Sequence, residues 1–589
     1  MDSSELAQFV QQMRLDINAL PDPNVHAIVS QVLNLVEEVV HTNDHLRHEN
    51  QSLHDEILRL GQLIRKLKGL PPDSATKPAA TRPPPPGNRS SEKERRRRQR
   101  QKRRPRTDGR SFRNVDVDRD VVCPVDPATL PSDATFAGYD DVIVQELIVQ
   151  TDNVRYRCEL WDSPSQGRLR GSLPPHAHGR FGPRLRTLLV SLKYVAGTSL
   201  PRARELVEHF GIVISPASVV NILHDAAARL GPEKEALFRA GLAATSYQHV
   251  DDTSARVGGE FWHTHVIGNP LHATYFTRPH KDRLTVLDLL RGGPRTYRFD
   301  GLTQRLLEKF QVPGKWRREA AELPQDRDLS DAELEELLAA WQPPPPAAYL
   351  ESLRESAALA SYRARPDHVR ILVSDDAKQF RHLADELALC WIHEGRHYKA
   401  LSPVVPQHQQ QLDDFLTRYW DYYAALQQYR EAPSAAEAER LRAEFDRLFG
   451  TPTGYAELDR RIATTRKKKG PLLTVLSHPE TPLHNNPAEL DERVAARRRD
   501  VSLHCRHAQG AQEMDTFTTL VQTAKKLAVN SYEYLYDRIS GTFRLPSLAS
   551  LIRARSPPYA DASSPTTSLP TLPLPPSPAT PASMCIASV

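Results

Sequence analysis

A chain of 589 residues, 39% hydrophobic and with a formal net charge of +5, is too long for one core, so several compact units joined by linkers are expected. No uncharged apolar run approaches the ~18 residues of a membrane span, and the opening MDSSELAQFV lacks the basic and apolar regions of an export signal. No membrane partner is therefore expected, and the five cysteines (Cys123, Cys158, Cys390, Cys505, Cys585) are too few for a disulfide framework, which favours a reducing, cytoplasmic compartment.

The first unit, residues 1–69, carries a strict heptad. Leu46, Leu53, Leu60 and Leu67 recur every seven residues, with Asn43, Asn50, Ile57 and Ile64 at the alternating seam position. That pattern predicts a parallel coiled-coil homodimer, because each seam asparagine finds its amide partner only in the matching chain. Residues 70–119 follow as a proline-rich, basic linker that cannot pack a core. Lys93 to Arg106 holds ten Lys or Arg against one Glu, including Arg95, Arg96, Arg97 and Arg98, a run suited to phosphate contact without sequence reading.

Residues 120–182 read as a small strand-rich region, with DVIVQELIVQ and NVRYRCEL as strands and two lone cysteines that cannot supply a zinc site. Over 183–240 the pattern becomes helical. Ser199 and Ser215 stand as N-caps and Gly211 as a helix end, giving a helix-turn-helix-like module. Residues 241–542 form the largest unit, with three strands (YQHVDDTSARV, EFWHTHVIG, HATYFT), a fourth (HVRILVS), and helical insertions at about 293–366 and 407–465. Residues 543–589 are expected to form a disordered Pro/Ser/Thr tail.

Three acids in the largest unit stand out. Asp251 in HVDDTSARV and Asp375 in ILVSDDAKQF each follow an apolar strand-like stretch, which predicts both at strand ends where a sheet opens. Glu489 follows His484-Asn485-Asn486-Pro487, a helix start with Asn as cap and Pro in the first turn, so it belongs to the first helical turn. Carboxylates so placed can converge to hold two Mg²⁺ ions, with Mn²⁺ as substitute, for phosphoryl transfer on a nucleic-acid backbone. Asp252 and Asp376 are the adjacent alternatives, and periodicity does not choose between neighbours. Two basic groups flank the third acid. Lys467, Lys468 and Lys469 precede it, Arg493 and Arg497 follow it, and both groups are candidates for a DNA groove.

HVDDTSARV with a Trp-bearing strand after it, SDDAKQF leading into LALCWIHEGRHYKAL, HNNPAEL, and TFTTLVQTAKKLAVNSYEYL together resemble the DDE transposases of the insertion-sequence 66 family over most of the chain. The resemblance favours Asp251 and Asp375 over their neighbours. It implies an α/β, RNase H-like catalytic domain, two Mg²⁺ ions, and cleavage and transfer of double-stranded DNA at element ends. It also implies helper proteins of the same element and a bacterial, nucleoid-associated location. Cys390 and His393 match the family's Cys-Trp-x-His element, read here as structural support in which His393 buttresses the site, alongside Asn485 and Asn486. The chain departs from the family pattern where Leu490 follows Glu489, with the nearest Arg at Arg493, and where His484 precedes the Asn pair. Its zinc element is reduced and its insertion before Asp375 is long. The competing reading is a non-catalytic DNA-binding regulator built from the coiled coil, linker and helical module, indifferent to loss of any of the three acids.

Overall fold

The computed structural model describes residues 117–174, 179–325, 327–500 and 505–556, together with Val29, Gln31 and Val32, which are helical. The expected coiled coil, the basic linker with Arg95, Arg96, Arg97 and Arg98, and the tail beyond 556 lie outside the described residues.

Between 120 and 182 the expected strands are not where the sequence put them. Residues 130–159 run without ladder partners, and the region's strands are instead β1 (Leu160–Ser163) and β2 (Gly167–Arg170), an antiparallel hairpin turned at Gly167 with φ 71°. Alternation of apolar residues favours extended backbone, but a strand also needs a neighbour to take its N–H and C=O groups.

Three helices follow: α1 (Pro183–Tyr194), α2 (Leu200–His209) and α3 (Pro216–Leu242). Leu189, Val207, Ile214, Val219 and Ile222 form their shared core. Ser215 caps α3 by accepting the Ser218 N–H, and Gly211 takes a φ of 84° past the end of α2. Gly231-Pro232 does not end α3, because Phe238, fully buried, anchors its second half in the main core.

That core is a five-stranded mixed sheet flanked by helices. Its strands are β3 (Tyr247–Val257), β4 (Glu260–Gly268), β5 (Ala273–Arg278), β6 (Ile371–Ser374) and β7 (Glu386–Leu389), in the order β5-β4-β3-β6-β7. The first three form an antiparallel meander, while β6 joins β3, and β7 joins β6, in parallel. Residues alternate between faces. Val250, Ile267, Phe276 and Leu372 point to one core, shared with α4 (Arg283–Arg291) and with the insertion helices α5 (Gly301–Lys309), α6 (Gly314–Ala321), α7 (Asp331–Ala339) and α8 (Ala347–Arg363). His249, Asp251 and Thr253 point to the other face.

After β7 comes α9 (Trp391–Lys399), and then α10 (Pro406–Glu431), α11 (Ala435–Leu448) and α12 (Ala456–Arg466), which build an aromatic core around Trp391. Gly395 lets α9 press against α10, since a Cβ there would lie 2.8 Å from the Trp420 ring. Four helices complete the unit: α13 (Asn486–Asp500), α14 (Ala508–Lys526), α15 (Ser531–Ser540) and α16 (Leu548–Arg555). The last corrects the expected tail, because Leu548 and Ile552 are fully buried in a core with α3 and α14.

The edge of β5 is closed by α14. Thr523 and Thr519 accept the Ala273 and Tyr275 N–H groups at 3.2 and 3.1 Å, and Asp515 accepts that of Thr277 at 2.6 Å. Acceptors four residues apart on a helix, ~6 Å, match strand donors two residues apart, ~6.8 Å, so one helix face serves three ladder positions. Thr519→Val keeps the shape and removes the hydroxyl that accepts the Tyr275 N–H. It should cost ~1–3 kcal/mol, read as a lowered denaturation midpoint; an unchanged midpoint would show that this bond does not hold the edge.

Candidate active site

β6 pairs with β3 only at Tyr247, Gln248 and His249 and ends at Ser374. Asp375 therefore leaves the sheet at a strand's carboxyl end. Asp251 does not end a strand: β3 stays paired with β4 as far as Val257, so this acid sits mid-strand, where the loss of β6 opens the sheet face. Both carboxylates are set by local backbone. Asp251 Oδ1 accepts the Asp252 N–H at 2.9 Å, and Asp375 Oδ1 accepts that of Ala377 at 3.0 Å.

Asn485 ties the third acid to these strands. Its side chain does not cap its own helix, as the sequence suggested, but reaches into the sheet. Nδ2 donates to the Val250 carbonyl at 2.8 Å, and Oδ1 accepts from His249 Nδ1 at 2.9 Å. His249 is fully buried and its proton affinity is pushed down to about 3 by desolvation, so it stays neutral and serves as a donor. The Asn485 N–H points at Cys390 Sγ (3.2 Å), and its carbonyl accepts the Glu489 N–H (3.1 Å). One residue thus joins β3, the start of α9 and the first turn of α13, which carries Glu489. Asn486 opens α13, and its buried Oδ1 finds no donor among the described residues.

The electrostatics mark Asp251 as the crowded position. Burial first, then Glu492, Asp375 and Glu489, push its carboxyl up to about 8. Glu492 was not singled out from the sequence, although its spacing of three from Glu489 on a helix was the available signal. The neighbouring acids are differently placed. Asp252 Oδ2 accepts from Gln379 Nε2 at 2.6 Å, with Lys281 Nζ 3.8 Å from Oδ1. Asp376 pairs with Arg381 and Lys468, both at 2.7 Å, and burial, which would raise its pKa, is outweighed by those contacts so that it lies below the ordinary value. Among the described residues no cation pairs with Asp251 or Asp375.

Glu489 is gripped from α9. Arg396 Nη2 donates to its two oxygens at 3.0 and 3.3 Å, and Nη1 donates to His393 Nε2 at 2.9 Å. With Nε2 as acceptor, His393 carries its proton on Nδ1, which faces Glu489 Oε1 at 3.6 Å. Burial and then Arg396 keep this ring below its usual pKa. Cys390 is buried and its thiol is pushed up to about 11, chiefly by desolvation. Ligand atoms of Cys390, His393 and Glu489 lie within 4.8 Å of one another, yet the guanidinium already engages the histidine and glutamate.

The basic residues fall into two groups. Lys468, only 15% exposed, is locked between Asp376 and Glu394, and Lys469 pairs with Asp446 at 2.7 Å, so neither stands free for phosphate as the sequence suggested. A run of like charges reads as surface, but three nearby carboxylates can draw part of it inward. Lys467, Arg493 and Arg497 are exposed.

The sequence profile described as "Transposase IS66 family" matches residues 178–287 and 355–513, and its interruption falls on the stretch that carries α5, α6, α7 and the start of α8. An uncharacterized protein of Sinorhizobium fredii (strain NBRC 101917 / NGR234), y4jO, is 31% identical over 338 residues, which is 54% of this chain and all of that protein. No solved structure matches. No helix among the described residues is long and apolar enough to cross a membrane. Taken with the mixed sheet and the acids it carries, these matches mean that the chain belongs to the IS66 family of transposases.

Proposed function

We propose that this transposase is of the DDE type and catalyses Mg²⁺-dependent cleavage and strand transfer of double-stranded DNA at the ends of an insertion sequence. The observation that carries the reading is the charge pattern on one sheet face. Asp251 and Asp375 lack a cationic partner among the described residues while Asp252 and Asp376 beside them are each engaged, and Asp251's proton affinity is raised to about 8 by burial and by three neighbouring acids. An all-oxygen, like-charged donor set fits hard divalent cations, so Asp251, Asp375 and Glu489 would hold two Mg²⁺ ions, or Mn²⁺ in their place. Bound there, the ions would supply an activated water or 3′-hydroxyl and stabilise the leaving oxygen.

The chain's own residues do the rest. Asn485 orients the helix that presents Glu489. Gln379 and Lys281 hold Asp252 out of the cluster. Lys467, Arg493 and Arg497 offer exposed charge for backbone phosphates, which position DNA without reading it. The mixed sheet is read as RNase H-like, α2 and α3 as a DNA-contacting helix-turn-helix, and the heptads as the dimer contact; helper proteins of the same element remain part of the reading.

The test uses the full chain and DNA bearing the element's ends. Strand cleavage is expected with Mg²⁺ or Mn²⁺ and none in EDTA, and joined target products separate transfer from plain nicking. DNA binding that is metal-independent, with no cleavage and no response to Glu489→Gln, would replace this reading with the DNA-binding regulator.

A further inference from the structure

Arg396 holds an acid that the proposed chemistry needs free. Its Nη2 faces both oxygens of Glu489, at 3.0 and 3.3 Å, so a cation reaching that carboxylate meets a positive charge already bound to it. The Glu489 side chain is 12% exposed while that of Arg396 is 49% exposed, which leaves the guanidinium a path outward that the carboxylate lacks. His393 lies beside them with Nδ1 3.6 Å from Glu489 Oε1 and does not depend on the arginine for its place in α9.

We propose that Arg396 is a positioning residue with two successive partners: Glu489 while the carboxylate cluster is without a cation, and a DNA phosphate once a divalent ion has taken Glu489. The inference rests on the reading given under Proposed function. A guanidinium and a divalent cation compete for the same carboxylate oxygens and repel each other, so filling the cluster expels the arginine. Its planar fork matches phosphate as well as carboxylate, and the expelled group already stands at the rim of the site. His393 stays behind and keeps Glu489 aimed at the sheet. The arrangement makes metal and DNA binding reciprocal: metal frees a phosphate contact, and DNA, by holding Arg396, makes the carboxylate easier to load.

The experiment measures Mn²⁺ binding to the full chain by the electron paramagnetic resonance signal of free Mn²⁺, with and without DNA, for the parent protein, Arg396→Ala and Arg396→Gln. Without DNA both variants should bind Mn²⁺ more tightly, by roughly tenfold, because the competitor is gone. The parent should gain DNA affinity when Mn²⁺ is added, and the variants should lose most of that gain; Arg396→Lys should keep part of it. The glutamine variant, which keeps length and polarity, carries the test should the alanine variant not fold. Unchanged or weaker Mn²⁺ binding by folded variants, beside a parent whose binding needs Asp251 and Asp375, overturns this inference alone. A parent that binds no Mn²⁺ at those acids overturns the metal reading and this inference with it.

Discussion

Asp251→Asn is expected to lower strand cleavage by roughly a thousandfold or more, the scale on which loss of one preorganised charge-stabilising group is felt, while leaving DNA binding intact and making the metal-free protein more stable at pH 8. The stability arm follows from the crowding of this acid. Its carboxyl is pushed up from 3.8 to about 8 by burial, Glu492, Asp375 and Glu489. Between those values the folded chain retains a proton that the unfolded chain has released. The stabilisation from that proton is therefore complete below about pH 4 and is lost as pH rises through 8, at no more than ~1.4 kcal/mol per unit. In EDTA the parent's melting temperature should fall from pH 5 to pH 8 more steeply than that of Asp251→Asn, whose amide still accepts the Asp252 N–H. Mg²⁺ should rescue the parent at pH 8 and not the variant, since ligands that bind only the folded state stabilise it by mass action. Identical pH slopes in the two proteins, or full cleavage by the variant, would end this account of the site.

Asn485→Ala should be the most damaging single truncation in the sheet's open face. It strands the ring Nδ1–H of His249 and the Val250 carbonyl, both buried, at the point where pairing with β6 ends after His249 and no strand replaces the lost amide. Two orphaned polar groups at ~1–3 kcal/mol each suggest a loss of about 4 kcal/mol, seen as a lower urea midpoint at constant slope. The backbone of residue 485 still accepts the Glu489 N–H in the variant, but without the side-chain anchor to β3 the first turn of α13 is no longer tied to the sheet, so cation affinity should weaken as well. A midpoint within experimental scatter of the parent's would refute the hub role.

What could be read in advance depended on whether the signal was local. The β-branched and aromatic alternation of β3, β4 and β5, the apolar run of β6 and the Asn-Pro start of α13 all appear in the sequence, because each is decided by neighbours within a few residues. β7 was missed: ELAL has no β-branched residue, and its extended form comes from pairing beside β6. Asp251 looked like a strand end because polar residues follow it, but pairing with β4 carries the strand six residues further. The helix over Leu548–Arg555 is hidden in the sequence because its apolar residues, Leu548, Ala549, Leu551 and Ile552, span little more than one turn between a proline and a basic, proline-rich stretch, and their value lies in the α3 and α14 surface they meet. The partners of Lys468 and Arg396 are hidden from the sequence for the same reason. Whether a cation faces phosphate or carboxylate is settled by residues 92 or 93 positions away, Lys468 by Asp376 and Arg396 by Glu489, and no spacing rule reaches that far.

The threonine and aspartate ladder of α14 has a consequence for crowding on DNA. With the N–H groups of β5 spoken for by one helix, and its Tyr275 carbonyl taken by Lys234 at 2.8 Å, that border of the sheet offers no template on which another polypeptide can zip. A second copy of the chain is thereby kept from adding a strand at this border, however closely copies gather on the DNA that a transposase acts on.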